Sequence, residues 1–496
     1  MGESIARSSG KLAVDMKSRR LCIVGAGLSG LVTARTLRDA GHEVSVFEKL
    51  PDLGGVWHPA NRYPGLRTQS PRDAYAFSDF PMPREFPEFP DGAQVHRYLS
   101  AYAEHHNLTS HIRLNCAVNA ITRTSEGRWL VRFSQDGAAE ASETFDFVVC
   151  CNGVFSRPSV PDLPNRTDFA TAGGIAVHSS QLHDTAPLKD RDVIVVGFGK
   201  SALDIAEAAL PLARSVTIVC HRTLWKVPRY LGFINAKHFI LSRFAELWVP
   251  HYTMQGLRRF LHTNTPWLVD LYWRLSEHGM GSFLGLLRPE LRPDLPMRHS
   301  VGTCFGLAPS DNFRALRQGR IGLRKGRLEC FTPDGLRLSD GTTIRAQTVV
   351  FATGFALDCP FLETTDRAAL FDQRGVPQLY RLLVCPRIPN MAFNGYNGGG
   401  VSQLTAELGA RWIAQLLAGG LVLPDVATME AQIARDLAQR REVVHAPRGE
   451  GFYVAPFMFS YLDQLQADMG LPPADSGKSW WRRYFTAVDP SDYARR

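Results

Sequence analysis

Leu21-Cys22-Ile23-Val24-Gly25-Ala26-Gly27-Leu28-Ser29-Gly30 runs four apolar residues straight into G-x-G-x-x-G. The pattern predicts a strand, a tight turn and the start of a helix. Such a turn lets the backbone approach a pyrophosphate, whose charge meets the free amides and positive dipole end of the helix. Leu31, Ala34 and Leu37 keep helical spacing, Gly41 is a stop, and Glu43 to Glu48 reads as a second strand ending in an acid. At about the twenty-residue offset expected of such sites, Glu48 can accept the two ribose hydroxyls of an adenosine. A lone glycine turn is any tight strand-to-helix connection. With strand, helix and acid in place, Gly25, Gly27, Gly30 and Glu48 read as a dinucleotide site.

The device returns in Val193-Ile194-Val195-Val196-Gly197-Phe198-Gly199-Lys200-Ser201-Ala202. Each copy is followed by a hairpin signal, Asp136-Gly137 and then Asp340-Gly341, and by a closing apolar strand, Phe147 to Gly153 and Thr348 to Gly354. In the first hairpin Trp129, Val131 and Phe133 share one face, and the return strand is expected near Glu143 to Cys150. An internal duplication of two nucleotide-binding units is the natural account. The copies differ where specificity is set. The second strand of the second copy ends in His221-Arg222-Thr223, and a guanidinium there can pair with a 2′-phosphate. With Gly197, Gly199, Lys200 and Ser201 in the loop, this favours NADPH over NADH; the plain alternative is that Arg222 is a surface cation.

At 496 residues the chain exceeds one ordinary core. Its 45% apolar and 21% charged content is that of a globular enzyme-sized protein. The net charge of +8 is spread along the chain, with no basic run dense enough for nucleic acid. Nine cysteines form neither a disulfide framework nor a metal spacing and imply a reducing compartment. Met1 to Arg20 lacks the apolar core of a signal peptide, and no stretch reaches the length of a spanning helix, so the chain is expected in the cytoplasm.

Between the motifs lie stretches of other character. Gly54-Gly55-Val56-Trp57, Tyr63 to Pro71 and Phe77 to Pro81 are rich in Gly and Pro without periodicity, a pattern of ordered functional loops or of plain surface loops. Gln94 to His105 reads as a helix. Tyr230 to Leu295 is aromatic and aliphatic but broken by charges, which predicts amphipathic helices. These helices form a satellite core on the second unit, an apolar substrate entrance or a membrane-surface contact. Asn397-Gly398-Gly399-Gly400 leads into a helix with a Leu404, Leu408, Trp412, Leu416 stripe, ended by Gly419-Gly420. The closing Trp480-Trp481-Arg482-Arg483-Tyr484-Phe485 either packs back on the body or sits at a lipid surface.

Together these motifs resemble the flavin-containing monooxygenases, class B flavoproteins related to the Baeyer–Villiger monooxygenases. The resemblance spans roughly residues 20 to 420. It is carried by Gly25 to Gly30, Gly54 to Trp57, Phe77 to Pro81, Gly174-Ile175-Ala176-Val177-His178-Ser179, Gly197 to Ala202 and Ala352-Thr353-Gly354. It implies an α/β fold of two nested Rossmann-like domains, one for FAD and one for NADPH, with a helical insertion. The division expected is a flexible tail 1–19, an FAD-binding unit 20–164 that resumes at 329–445, an NADPH-binding unit 165–328 with insertion 230–295, and a helical, aromatic tail 446–496. The chain departs from the family at Ala172, where an aromatic residue is usual, and at Leu182. It also carries Gln69 where many members have Asn, which keeps an amide but moves it by one methylene.

The chemistry implied is reduction of FAD by NADPH, capture of O₂ as a C4a peroxide, and transfer of one oxygen atom to a bulky apolar small molecule. Gln69 would hold the oxygenating flavin or NADP⁺ by its amide, and His178 would set the angle between the domains. Gly55, Trp57, Thr353 and Gly354 would complete the cofactor walls. Two other enzymatic readings stay open. One is Baeyer–Villiger conversion of a ketone to an ester, disfavoured by Leu182. The other is a flavoprotein reductase, which needs a dithiol where the chain offers only the adjacent Cys150 and Cys151. A non-enzymatic FAD scaffold would not need the second fingerprint. No metal site is expected, and the oligomeric state is open, with a homodimer as one option.

Overall fold

Each glycine turn is preceded by an apolar strand that becomes the centre of a five-stranded parallel sheet. The computed structural model describes residues 18–231, 234–301, 306–308, 310–443 and 457–494. Most of the expected N-terminal tail, residues 1–17, and the stretch 446–456 of the expected C-terminal tail lie outside the described residues. In the first sheet Arg20–Val24 lies between Glu43–Phe47 and Phe147–Cys150, with Ile112–Arg113 and Met391–Phe393 at the edges. In the second, Asp192–Val196 lies between Ser215–Cys220 and Thr348–Phe351, with Gly322–Lys325 and Ile175–His178 at the edges. The two central strands carry no polar alternation because parallel sheets of this kind are covered on both faces. Leu21, Cys22, Ile23, Ile194 and Val195 are completely buried.

The two sheets are copies of one topology, the fingerprint strand flanked by the ribose-side strand and the closing strand. The chain leaves the first sheet after Phe147–Cys150, builds the second, and returns after Thr348–Phe351 to add Met391–Phe393 and the helix Ser402–Leu417. That helix packs along Leu28–Asp39, so the first unit is closed by residues some 370 positions apart in sequence, roughly the distance from the first helix to the last one covering it. The fold is α/β, two nested Rossmann-like units with a helical insertion.

Each unit also carries a three-stranded antiparallel sheet, Cys116–Arg123 with Trp129–Gln135 and Ala141–Phe145, and Leu328–Thr332 with Gly335–Leu338 and Thr343–Arg345. Trp129, Val131 and Phe133 face inward together as their alternation requires. The return strand expected over Glu143 to Cys150 is in fact two strands in two different sheets. Asp146 makes the break: its carboxylate accepts the Arg20 amide at 2.8 Å and pairs with Arg128 at 3.0 Å, and no ladder continues through it.

The insertion forms the helices Lys237–Ile240, Arg243–Leu247, Gly256–Asn264 and Pro266–Leu284. They enclose a small core of Leu247, Leu261 and Val269, on which Phe244, Trp248 and Trp273 pack. The core leans on the C-terminal segment as well as on the second unit. Arg243 is shared by Asp463 at 2.7 Å and by Asp475, and buried Glu246 caps the helix Met458–Asp468 through the Phe459 and Ser460 amides. Tyr484 joins the same core, so the tail helix Trp480–Phe485 packs back on the body while Trp480 and Trp481 stay exposed. No helix among the described residues is long and apolar enough to cross a membrane.

Candidate functional site

The two glycine turns are built alike. Gly25 has φ +104° and Gly197 φ +124°, and a Cβ at either would stand 2.7 or 2.6 Å from a carbonyl of the neighbouring closing strand, Cys151 or Ala352. Neither position tolerates a side chain. Gly30 is needed for a different reason, since a Cβ there would lie 1.8 Å from the Gly25 carbonyl oxygen. The middle glycines face outward. A Cβ on Gly199 would meet nothing within 4 Å, and one on Gly27 only the Gly55 backbone, at 3.5 Å and beyond. Gly27 and Gly199 are also the N-caps of Leu28–Asp39 and Lys200–Ala209, with no side-chain cap and no acid in either first turn. Both helix starts therefore present unpaired amides to open space, the arrangement that phosphate requires.

Around the first turn, the Gly54 amide donates to Ala26 at 2.9 Å, which brings Gly55 against Gly27. Trp57 is buried and meets Tyr75 edge-on at 5.8 Å. Glu48 is only 5% exposed, and its two carboxylate oxygens accept the Ala26 amide at 2.8 Å and the Leu50 amide at 3.0 Å. Burial pushes its pKa up, while these amides work against the rise. Glu48 thus braces the glycine turn from behind, and each oxygen retains capacity for a hydroxyl.

Gln69 lies between two residues that turn inward. Thr68 and Ser70 are 1% and 3% exposed, and Gln69 is exposed. Ser70 donates its hydroxyl to the Gly400 carbonyl, which ties this loop to the glycine approach of Ser402–Leu417. The helix start there has no side-chain cap. The Phe77 to Pro81 block, grouped by sequence with these loops, is an anchor. Ser78 donates to Glu407 through its amide at 2.9 Å and through its hydroxyl, Arg411 closes on the same carboxylate, and the Phe77 amide donates to the Tyr98 hydroxyl oxygen at 2.9 Å.

In the second unit Arg222 is half-buried at the end of Ser215–Cys220, with no hydrogen bond or ion pair among the described residues. Lys200 differs from expectation. It is the first residue of the helix rather than a loop residue, its ammonium is bound to Asp204, and it lies 5.9 Å from the Tyr63 ring centroid. Burial pulls its pKa down against the pull of Asp204. Ser201 sits beside the Tyr63 hydroxyl. Tyr63 and Asp204 were not singled out from sequence. The available signal was an acid inside the otherwise apolar Ala202-Leu203-Asp204-Ile205-Ala206.

His178 is fully buried. Its Nε2 donates to the Gly354 carbonyl at 3.0 Å, while Nδ1 accepts the Ser180 amide at 3.2 Å, which fixes a neutral tautomer. Burial holds its pKa below the ordinary value, outweighing the bond to Gly354. Thr353 donates to the Ser159 carbonyl, and the Ser159 amide returns to Gly354 at 2.9 Å. Cys150 and Cys151 are buried, and burial drives both thiols up, Cys151 to about 12. They are the opposite of the exposed, low-pKa pair that a disulfide reductase needs. No cluster of metal-ligating side chains occurs among the described residues.

Comparisons with known proteins agree with this geometry. The family model described as Flavin-binding monooxygenase-like matches residues 18–251. Flavin-containing monooxygenase 3 of Canis lupus familiaris is 27% identical, over 92% of this chain and 83% of its own. Among solved structures, S-allyl-L-cysteine S-oxygenase from Allium sativum superposes with a TM-score of 0.64 at 21% identity, covering 94% of this chain and 91% of that one. An open crystal structure of cyclohexanone monooxygenase gives 0.68 at 17% identity, covering 92% and 99%. Two glycine-capped nucleotide units in this order are what the chain shares with these relatives, and over residues 18–251 it is similar to the flavin-binding monooxygenases.

Proposed function

We propose that the protein is an FAD- and NADPH-dependent monooxygenase that transfers one oxygen atom of O₂ to nitrogen, sulfur or activated carbon of a bulky apolar small molecule. The observation that carries this reading is the repeated glycine-capped helix start, each with uncapped amides and open space before it. The first would hold the FAD pyrophosphate through Gly25, Gly27 and Gly30, with Glu48 on the ribose and Gly55 and Trp57 closing the wall. The second would hold NADPH through Gly197, Gly199 and Ser201, with Arg222, free of any protein partner among the described residues, on the 2′-phosphate.

When bound, the flavin supplies the oxygen-activating chemistry and the nicotinamide its hydride. The protein's part is position and dryness. Gln69, exposed between two inward anchors, would offer its amide where the loop and the glycine approach of Ser402–Leu417 meet. His178 would hold the two domain crossings together and touch neither oxygen nor substrate. Thr353 and Gly354 would form the floor at that crossing. The cysteines among the described residues are unpaired and buried, which supports a reducing, cytoplasmic setting.

A finer partner reading concerns the insertion. Leu257, Phe260, Trp267, Leu271 and Leu275 form an exposed apolar stripe along Gly256–Asn264 and Pro266–Leu284, flanked by exposed Arg259 and Arg274. An apolar stripe edged by cations fits peripheral contact with an anionic lipid surface.

Product analysis by mass spectrometry under ¹⁸O₂, over amines, thioethers, quinolines and ketones, tests the main reading. One labelled oxygen in an N-oxide, S-oxide or hydroxylated product supports it. A labelled ester from a ketone alone would move the protein to the Baeyer–Villiger alternative, and NADPH oxidation without a labelled product from any substrate would remove the oxygenase reading.

A further inference from the structure

Tyr63 reaches across from the other unit to the first turn of Lys200–Ala209, beside the open helix start. Its hydroxyl donates to Asp204 at 3.1 Å and lies beside the Ser201 hydroxyl, while its ring faces the Lys200 ammonium. Lys200 is bound to the same Asp204 oxygen. Asp204 is almost fully buried, one turn into Lys200–Ala209. Two residues beyond Tyr63, Gly65 has φ +86°, and a Cβ there would come within 3.1 Å of the Asp204 carbonyl oxygen. The loop is thus seated on the helix by backbone as well as by side chain, and four residues further along it stands Gln69.

We propose that Tyr63 and Asp204 are positioning residues that couple occupancy of the second glycine turn by the pyridine nucleotide to the seating of the loop that carries Gln69. The inference rests on the reading of that turn as the NADPH site. A phosphate at the helix start competes with Asp204 for the Lys200 ammonium. As Lys200 turns toward the phosphate, the buried Asp204 carboxylate is left with the Tyr63 hydroxyl as its side-chain partner, and a charge-assisted bond of that kind strengthens. NADP⁺ therefore tightens the loop rather than loosening it, and by linkage a seated loop tightens NADP⁺. The device needs no movement of the helix, only an exchange of partners between side chains already in contact.

Hydrogen exchange of the backbone amides over residues 65–70, in the FAD-loaded enzyme with and without NADP⁺, tests the coupling. In the parent, NADP⁺ should slow exchange by about tenfold, within the usual range of coupling between sites. Tyr63→Phe keeps the ring and removes only the hydroxyl, and it should reduce that response to about twofold or less while weakening NADP⁺ binding by a similar factor. Asp204→Asn should do the same, and if it fails to fold Tyr63→Phe carries the test alone. Titration calorimetry with NADP⁺ separates the two ideas. If the parent binds NADP⁺ but its loop does not respond, or if Tyr63→Phe responds like the parent, the coupling is wrong and the nucleotide site stands. If the parent binds no NADP⁺, the assignment of the second turn falls and the coupling with it.

Discussion

The Nε2 of His178 donates to the carbonyl oxygen of Gly354 at 3.0 Å, and that same oxygen accepts the Ser159 amide at 2.9 Å. Ser159 lies on the segment that leaves the first unit and Gly354 on the one that returns to it. Next to them Arg157–Pro158 pairs antiparallel with Phe355–Ala356, and the Phe355 ring meets the imidazole edge-on at 4.9 Å. One buried histidine therefore binds both crossings between the nucleotide units to an edge strand of the second.

His178→Ala should loosen that crossing without emptying the FAD site. Leaving the Gly354 and Ser180 groups short of a buried partner should cost about 1–3 kcal/mol. The melting temperature should fall, flavin content should hold, and anaerobic flavin reduction by NADPH should slow, since hydride transfer depends on how the two units are aligned. A lowered melting temperature with an unchanged reduction rate would leave His178 a stability residue only.

Arg222→Ala should raise the Michaelis constant for NADPH and leave that for NADH nearly unchanged. A charge-assisted contact to phosphate is worth about 1.5–3 kcal/mol, or roughly tenfold to a hundredfold in apparent affinity. Equal losses with both nucleotides would place the 2′-phosphate elsewhere.

What sequence revealed and what it did not follow the range of the interactions. Gly25, Gly27 and Gly30 were legible because a tight turn and a helix start are decided within ten residues. The duplication was legible because the second copy repeats that local pattern. The break at Asp146 was not, because it depends on Arg20 and Arg128 reaching the same carboxylate from two other strands. The bond from Lys200 to Asp204 was open to reading from their four-residue spacing, but the approach of Tyr63, 141 residues from that acid, was not. The insertion was read as amphipathic helices from its periodicity, but its dependence on Asp463 and Asp475 is long-range and invisible to periodicity. Gln69 was identified through a resemblance; its exposure between two buried neighbours is a property of the folded loop.

Acid should destabilise the protein through His251 at the base of the insertion. Burial first, then Arg258, Arg440 and Arg435, lower its pKa to about 3. Its unfolded value is about 6.5. Because the folded value is the lower one, the unfolded state takes up the proton first, and stability falls as pH drops from about 6.5 toward about 3. At pH 5 the loss from this group should be about 2 kcal/mol. His251→Gln should flatten the decline in denaturation midpoint between pH 7 and pH 5. A variant as acid-sensitive as the parent would assign the decline to other buried histidines.

Membrane contact through the insertion should show in sedimentation with vesicles. The parent should pellet with phosphatidylserine-containing vesicles at low salt and less with neutral ones. Trp267→Glu combined with Leu275→Glu should abolish the effect, since burying such side chains contributes about 1.5–3 kcal/mol each. Both residues are more than 60% exposed, so the folded body should tolerate the change. A parent that stays in the supernatant, or a double variant that changes oligomeric state instead, would give the stripe to another partner.

Gln69→Ala should leave flavin reduction intact, because hydride transfer needs only the two nucleotides in register. It should divert NADPH oxidation into hydrogen peroxide, because the role proposed for the amide comes after reduction. The ratio of peroxide released to NADPH consumed is the quantity to measure. Removing one preorganised donor typically costs about 2.7–4 kcal/mol where charge develops, enough to turn a coupled enzyme into a largely uncoupled one. Gln69→Asn keeps the amide and shortens its reach by one methylene, so its uncoupling should be the milder of the two. Thr68 and Ser70 hold the backbone on either side, so neither substitution should displace the loop, and hydrogen exchange over residues 65–70 should match the parent. If both variants stay as coupled as the parent, the donor that steadies the oxygenating state belongs to bound NADP⁺ or to the amides before Ser402–Leu417, and Gln69 is a solvent-facing residue between two anchors.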